Sequence, residues 1–240
     1  MRRLFLLLAI FFANAVHSQS VKVINSAGVK NLPKAFVYAF LEPSIDTMQV
    51  QYVATILAKD KNRQSVIEGL YSEIRKKATE LGANCFLIKS FARDTLKHES
   101  VLILDSYYAS DSIINLNTSK HDKNVVYVFG EEREGEKTMT FNLNGEKKEI
   151  VSGTYYKINL TEGKDVMISK GGVAGESVTL SWMNDKQTLF FTLSGFGLSR
   201  LADQPAFGVG FNTGKINRIG NVSLGLLLTK LLKPGNSKSL

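Results

Sequence analysis

The sequence has little cysteine. Cys85 is the only cysteine among 240 residues, which excludes an internal disulfide, so the folded chain has to be held by its hydrophobic core. Cys85 begins the apolar run Cys85-Phe86-Leu87-Ile88, and free cysteines are among the most buried residues of proteins. We therefore expect a buried structural thiol rather than a nucleophile or an intermolecular bridge.

Histidine is also scarce, which limits the chemistry that the chain can carry. Of three histidines, only His98 and His121 lie beyond residue 20, both in polar stretches. A zinc site needs three or four converging ligands, and a hydrolase triad needs a histidine beside a serine and a carboxylate. No G-x-S-x-G motif is present. Gly214-Lys215 lacks the spacing of a phosphate-binding loop, because Val209 stands where that motif needs its first glycine. We therefore predict no catalytic, cofactor-binding or metal-binding residues, no cofactor, and a protein that is not an enzyme.

Long hydrophobic runs are absent as well. The apolar run at residues 4–12 is shorter than the ~20 residues that a membrane-spanning helix needs. Arg2 and Arg3 precede it and the small-residue triplet Ala13-Asn14-Ala15 follows, which predicts a secretory signal peptide over residues 1–18. No cysteine comes next, so no lipid anchor is expected, and residues 222–232 are interrupted by polar side chains and glycine. We expect a protein of the periplasm or exterior with no transmembrane segment after cleavage.

The chain also lacks any run of five or more basic residues. Its formal net charge is +8, two units of which belong to Arg2 and Arg3, and the other positive residues are spread thinly. This pattern predicts a solvated surface and no nucleic-acid binding, with mild attraction to anionic envelope surfaces. The expected partner is an envelope protein or such a surface, and the oligomeric state stays open.

Strand and helix signals alternate over the first half of the sequence. An α-helix is predicted at residues 65–81, where Ser65-Val66-Ile67-Glu68 forms a capping box, apolar side chains recur at helical spacing, and Gly82 follows as the C-cap. Apolar or alternating segments predict strands on both sides of it, and the segment after the helix is expected to be central in a sheet. The predicted strands are residues 36–41, 48–58, 85–91 and 101–108. Together these elements predict a strand-strand-helix-strand-strand domain over residues 19–110.

The end of this helix carries a family resemblance. An amphipathic helix that ends in Glu80-Leu81-Gly82-Ala83-Asn84 and runs into an apolar strand resembles the YbjQ-like fold, which Rcs-sensor lipoproteins share. The resemblance covers residues 45–110. Those lipoproteins are lipid-anchored and disulfide-bonded, and this chain has neither feature, so the resemblance implies a fold and not a signalling role.

Residues 111–123 are rich in Ser, Asn, Asp and Lys, which predicts a linker. Short alternating segments then follow, separated by turn signals such as Asn144-Gly145, a strong hairpin signal. They predict an antiparallel β-sandwich-like domain over residues 124–232 with a tail at 233–240. The fold class is thus α+β, with a small mixed domain preceding a β-rich one.

The β-rich segment has its own resemblance. Residues 141–145 (FNLNG), 153–156 (GTYY) and 160–166 (LTEGKDV) are similar to the hairpins of PEGA/DUF2846-type envelope β-domains. The resemblance covers residues 125–195 and implies a non-catalytic surface or spacer module.

The sequence as a whole predicts an exported, non-enzymatic envelope protein that acts as a binding or interaction module. Two alternatives stay open: a hydrolase of envelope polymer that uses carboxylates, and a carrier of an apolar ligand inside the β-rich domain. The prediction depends on apolar residues being used in packing, with too few reactive side chains left to assemble chemistry. Convergence of His98 or His121 with acidic groups in a cleft would contradict it.

Overall fold

The computed structural model describes residues 19–61, 67–94, 96–97, 99–131, 137–171, 175–194, 197–200, 209–212 and 214–235. Within these ranges strands predominate and three α-helices accompany them, which agrees with a largely β, α+β fold class. No helix there combines the length and the apolar character that a membrane crossing demands. The predicted signal peptide, Ser65 of the predicted capping box and His98 lie outside the described residues.

The first half forms a five-stranded sheet with strand order β1-β3-β5-β4-β2. Its strands pair antiparallel, except that β2 runs parallel to β4. The strands are β1 (Gln19–Ser26), β2 (Ala39–Phe40), β3 (Gln51–Asp60), β4 (Cys85–Asp94) and β5 (Glu99–Tyr108).

Helix α1 (Ile67–Glu80) packs against this sheet, as its periodicity predicts. It buries a stripe of side chains at helical spacing: Ile67, Leu70, Tyr71, Ile74 and Ala78. Gly82 follows with φ +85°, the left-handed conformation expected of a glycine C-cap. A Cβ at Gly82 would also clash with the side chain of Leu32. Two independent constraints therefore require glycine at this position.

A helix occupies the predicted linker, which corrects that prediction. Helix α2 (Asp111–Ser119) is docked through Asn117, whose side chain is fully buried. The Asn117 Nδ2 donates to the Phe40 carbonyl at 2.8 Å, and its Oδ1 accepts from the Glu42 N–H at 2.8 Å. Short polar side chains usually favour turns, but here the long-range hydrogen bonds fix a helix against β2.

The strand predictions for the first half also need correction. Residues 36–41 supply only the two-residue β2, where the N–H groups of Ala39 and Leu41 donate to the residue before β4 and to β4, while Asn117 bonds to Phe40 and Glu42 on the opposite edge. The segment predicted as central, residues 85–91, lies in β4, which is an interior strand between β5 and the short β2. Strand β1 was not predicted, because its residues alternate poorly between apolar and polar.

The second half contains two further main sheets. One is four-stranded, with order β11-β10-β7-β8, and the other is five-stranded, with order β15-β12-β6-β9-β16. The predicted Asn144-Gly145 hairpin joins β7 and β8, with φ of +53° and +84° at its two turn residues. The strands are β6 (Val125–Phe129), β7 (Thr138–Leu143), β8 (Glu146–Val151), β9 (Thr154–Asn159), β10 (Val166–Lys170), β11 (Glu176–Leu180) and β12 (Leu189–Ser194). The remaining strands are β13 (Gly197–Arg200), β14 (Val209–Asn212), β15 (Lys215–Arg218) and β16 (Lys233–Pro234).

The second half is neither wholly antiparallel nor wholly β. Strand β12 runs parallel to β6, and β16 runs parallel to β9, so part of the predicted tail belongs to a sheet. Residues 222–231 form helix α3 (Val222–Leu231), capped by the Asn221 Oδ1, which accepts from the Leu224 N–H at 3.1 Å. A side-chain N-cap before an apolar run explains why this segment is helical.

Hydrophobic clusters lie on both faces of the β6 sheet. On one face, Val126 and Val128 pack with side chains of the four-stranded sheet. On the other face, Tyr127 and Phe129 join a cluster that includes α1, α3 and the first sheet. Hydrophobic packing therefore continues across the predicted boundary at residues 111–123.

Candidate functional site

A cavity of about 550 Å³ lies where the first sheet, α1, α2 and the start of α3 approach the β-rich half. Five stretches of the chain that are distant in sequence contribute to its wall. The lining residues include Phe36, Val37, Tyr38, Ala39, Arg75, Ile114, Thr118, His121, Asp122, Lys123, Gln187, Thr188, Gly220, Asn221, Val222, Ser223 and Leu226.

Tyr38 provides a rigid aromatic part of the wall. Its hydroxyl lies 2.7 Å from the Ser106 Oγ, and its ring stacks on Phe86 with 4.7 Å between centroids. Burial raises the pKa of the Tyr38 phenol far above its ordinary range. The group therefore stays neutral and serves as a fixed wall rather than an acid or base.

The start of α3 is tied to the first sheet at the cavity. The Phe40 N–H donates to the Ser223 Oγ at 3.2 Å, and the Asn221 Nδ2 donates to the Tyr71 hydroxyl at 3.5 Å. Tyr71 in turn donates to the Tyr38 carbonyl at 3.3 Å. Side chains of α1 and of the start of α3 thus bond to the backbone at residues 38–40 and hold this part of the wall in one arrangement.

His121 lies in the wall beside a carboxylate. Its Nε2 is 3.9 Å from the Glu42 Oε1, and the two side chains are 13% and 17% exposed. The Nε2 is buried and has no hydrogen-bond partner among the described residues. Burial lowers the pKa of His121, while Glu42 opposes that shift. The imidazole is therefore predominantly neutral near pH 7. Convergence of His98 or His121 with acidic groups in a cleft is the arrangement that would contradict a non-enzymatic protein. His121 meets it in part, since it lies in the cavity wall beside Glu42, although 3.9 Å is too long for a hydrogen bond. The sequence did not predict Glu42 as its neighbour, because the two residues are far apart in the chain.

Positive charge exceeds negative charge in the wall. Asp122 makes an ion pair with Lys157, whose Nζ lies 2.9 Å from its Oδ2. Arg75 and Lys123 make no ion pair within the described ranges. Neither cation therefore has a carboxylate within 4 Å in those ranges, and the carboxylate of Glu42 lies behind the wall beside His121.

The rim of the cavity is apolar and exposed. Phe36 is 81% exposed and Val37 is 55% exposed, although both were predicted to lie in a strand. The Lys34 Nζ lies 5.9 Å from the centroid of the Phe36 ring, within the range of a cation–π contact. Exposed apolar side chains beside a cavity extend the apolar surface that a ligand could cover.

The sequence named no site residues, although His121, one of the two histidines that it considered for chemistry, lines the cavity. Arg75 belongs to the thinly spread charge that predicted a solvated surface. One usable signal was Asn221 before the apolar run at residues 222–232, because it predicts a helix start. Within the described part of the chain, no group of three His, Cys, Asp or Glu side chains is arranged to hold a metal.

Comparison with known proteins adds no relative to this picture: no protein-family model, curated protein or solved structure matches the chain. The resemblances to the YbjQ-like fold and to PEGA/DUF2846-type domains therefore stay predictions from short motifs.

Proposed function

We propose that this chain is an exported, non-enzymatic binding module whose ligand occupies the cavity between its two halves. The observation that carries the proposal is the cavity itself. Its volume of about 550 Å³ falls in the ordinary range for small-ligand sites, roughly 300–1,000 Å³. Its wall combines apolar side chains with a few polar groups, the composition typical of such sites. The β-rich half, which we propose to be sandwich-like, supplies part of this wall.

The rigidity of the wall supports binding. Tyr38, Tyr71 and Asn221 are connected by hydrogen bonds and ring contacts from three separate elements. A wall that is fixed before the ligand arrives loses little conformational entropy on binding. This arrangement suits recognition of a ligand with a defined shape.

The proposal is tested by blocking the cavity at Gly220. This residue lines the cavity, and a Cβ built on it meets no atom within 4 Å. Gly220→Trp should therefore place an indole at the cavity without disturbing the core, while Gly220→Ala leaves the space open. The probe is N-phenyl-1-naphthylamine, a neutral apolar dye that fluoresces when it leaves water.

The dye should bind the native protein and the Gly220→Ala variant with equal affinity, and Gly220→Trp should weaken binding at least tenfold. Circular dichroism spectra and urea midpoints verify that all three proteins are folded. Absence of saturable binding to the native protein, or equal binding to the Trp variant, would refute the proposal.

A second candidate is the hydrolase of envelope polymer, which the proximity of His121 and Glu42 favours. A neutral imidazole beside a carboxylate is a common general-base arrangement. The test is turnover of peptidoglycan by the native protein and three variants. If His121→Gln and Glu42→Gln both lose the turnover and Lys120→Gln retains it, the hydrolase replaces the binding module as the proposed function.

The apolar-ligand carrier is the remaining alternative. The space between the two sheets of the β-rich half contains large side chains, among them Phe141, Ile150 and Phe191. The cavity at the boundary of the two halves is therefore the better candidate for a ligand.

A further inference from the structure

We infer that the cavity takes an amphiphile with one anionic headgroup, such as a carboxylate, sulfonate or phosphate, on an apolar body. This inference rests on the proposed function, because it names the ligand class of the same cavity.

The headgroup is indicated by two lining cations, Arg75 and Lys123, that make no ion pair in the described part of the chain. Arg75 comes from the exposed side of α1, and Lys123 comes from the segment that follows α2, yet both line the one cavity. Asp122, the acidic residue among the lining side chains, pairs with Lys157, and the Glu42 carboxylate lies outside the lining beside His121. A guanidinium and an ammonium that share a cavity favour an anionic group, since charge-assisted hydrogen bonds are about twice as strong as neutral ones.

The start of α3 adds to the same preference. Gly220, Asn221, Val222 and Ser223 line the cavity, and Asn221 caps the N–H of Leu224. The first N–H groups of a helix have no acceptor within the helix, and its dipole places partial positive charge at this end. This partial positive charge attracts an anionic headgroup, as Arg75 and Lys123 do.

The apolar body is indicated by the rest of the wall. Phe36 and Val37 form an exposed rim, and Ile114 and Leu226 continue the apolar surface inward. A small polar anion would leave this surface in contact with water. An apolar body would remove it from water, at roughly 25 cal/mol per Å² covered.

Two matched dyes separate headgroup recognition from cavity binding. N-phenyl-1-naphthylamine is neutral, and 8-anilinonaphthalene-1-sulfonate carries the same ring system with one sulfonate. The full-length protein should bind the sulfonate at least tenfold more tightly at low salt. Raising the ionic strength should reduce that preference, because salt screens the charges.

Charge-removing variants identify the groups that recognise the headgroup. Arg75→Gln and Lys123→Gln should each weaken the sulfonate about tenfold, the loss of one charge-assisted hydrogen bond. Neither should change binding of the neutral dye by more than about twofold. Lys76→Gln and Lys120→Gln are the matched controls, since each removes a nearby exposed charge from outside the cavity wall, and both should bind as the native protein does.

The outcomes distinguish the two proposals. If the native protein binds both dyes equally, the anionic headgroup is overturned. The same holds if Arg75→Gln and Lys123→Gln both keep the native preference for the sulfonate dye. In either case the cavity remains a binding site. Failure of both dyes to bind would overturn the proposed function as well.

Competition with the bound sulfonate dye distinguishes the possible sources of the amphiphile. Dodecanoate should displace the sulfonate dye, whereas dodecyltrimethylammonium, which has the same chain and the opposite charge, should not. Displacement by vesicles of phosphatidylglycerol, but not of phosphatidylcholine, would identify a membrane lipid as a further source of the same headgroup chemistry. If neither dodecanoate nor anionic vesicles displace the dye, the inference is wrong.

Discussion

His121 shows how one residue changes its chemistry when the chain folds. Burial is the main cause that lowers the pKa of His121, and Lys123 acts in the same direction. Glu42 and Asp122 raise the pKa, but they do not outweigh burial. The native protein therefore binds a proton at His121 less readily than the unfolded chain does.

This difference predicts a pH dependence of stability. The folded pKa lies below the ordinary value of about 6.5, so the stabilisation by neutral His121 is present above that value. It is lost as the pH falls from about 6.5 through the folded pKa, because the unfolded chain takes up the proton first. In His121→Gln, the free energy of unfolding should fall less between pH 7.5 and 5.5 than in the native protein.

Urea denaturation across this pH range measures the effect. Glu42→Gln is the informative partner variant, because removing the carboxylate should make the loss of stability at acid pH steeper. If the free energy of unfolding depends on pH in the same way in the native protein and in His121→Gln, this residue does not control the loss of stability at acid pH.

Cys85 illustrates a residue whose state could be predicted from the sequence. Its side chain is fully buried, which confirms the expected structural thiol. Burial raises the pKa of the Cys85 thiol to about 12. It therefore stays a neutral thiol at physiological pH and is a poor nucleophile.

Helix α2 is the element whose presence depends most clearly on one long-range contact. The Asn117 amide bonds to the backbone on both sides of Leu41, through the Phe40 carbonyl and the Glu42 N–H. Asn117→Leu would leave both groups without that partner, and each buried orphan costs about 1–3 kcal/mol. The variant should lose about 2–4 kcal/mol of unfolding free energy.

Asn115→Leu provides the matched control for this prediction. Asn115 is exposed on the same helix, so the same substitution there should change stability by no more than about 0.5 kcal/mol. Equal urea midpoints for the two variants would show that the Asn117 hydrogen bonds do not dock the helix.

The elements differ in how far local sequence could predict them. Helix α1 carries its own signals, a stripe of apolar residues and a glycine C-cap, so its described residues, Ile67–Glu80, all lie within the predicted helix and its end was predicted to within one residue. Helix α2 has few apolar residues, and its Asn and Ser side chains resemble those of a loop. It is held by the Asn117 bonds to Phe40 and Glu42, more than 70 residues away, and by Ile113 and Ile114, which pack on the cluster of Leu41 and Cys85. No local pattern records such contacts.

At the scale of the whole molecule, the two predicted halves share a hydrophobic cluster. Phe190 of β12 and Leu227 of α3 pack in the same cluster as Ile74 of α1 and Phe86 of β4. A Cβ at Gly225 of α3 would clash with the Phe190 ring, so the helix lies directly on that strand. The chain thus returns after the β-rich strands to pack against its first half.

The cavity is a consequence of this return. Its wall joins residues 36–39 to residues 220–226, which only the complete chain brings together. The overall class of the fold could be predicted, because periodicity and turn residues are local. The site could not, because Arg75, His121 and Asn221 acquire a common role through packing and not through spacing in the sequence.

Photo-crosslinking with a fatty acid that carries a diazirine on its chain tests the central claim most directly. After irradiation of the native protein, mass spectrometry should locate the label on residues 36–39, 114–123 and 220–226, and excess dodecanoate or Gly220→Trp should abolish it. Labelling confined to the strands that face each other within the β-rich half, or labelling unaffected by Gly220→Trp, would contradict the account.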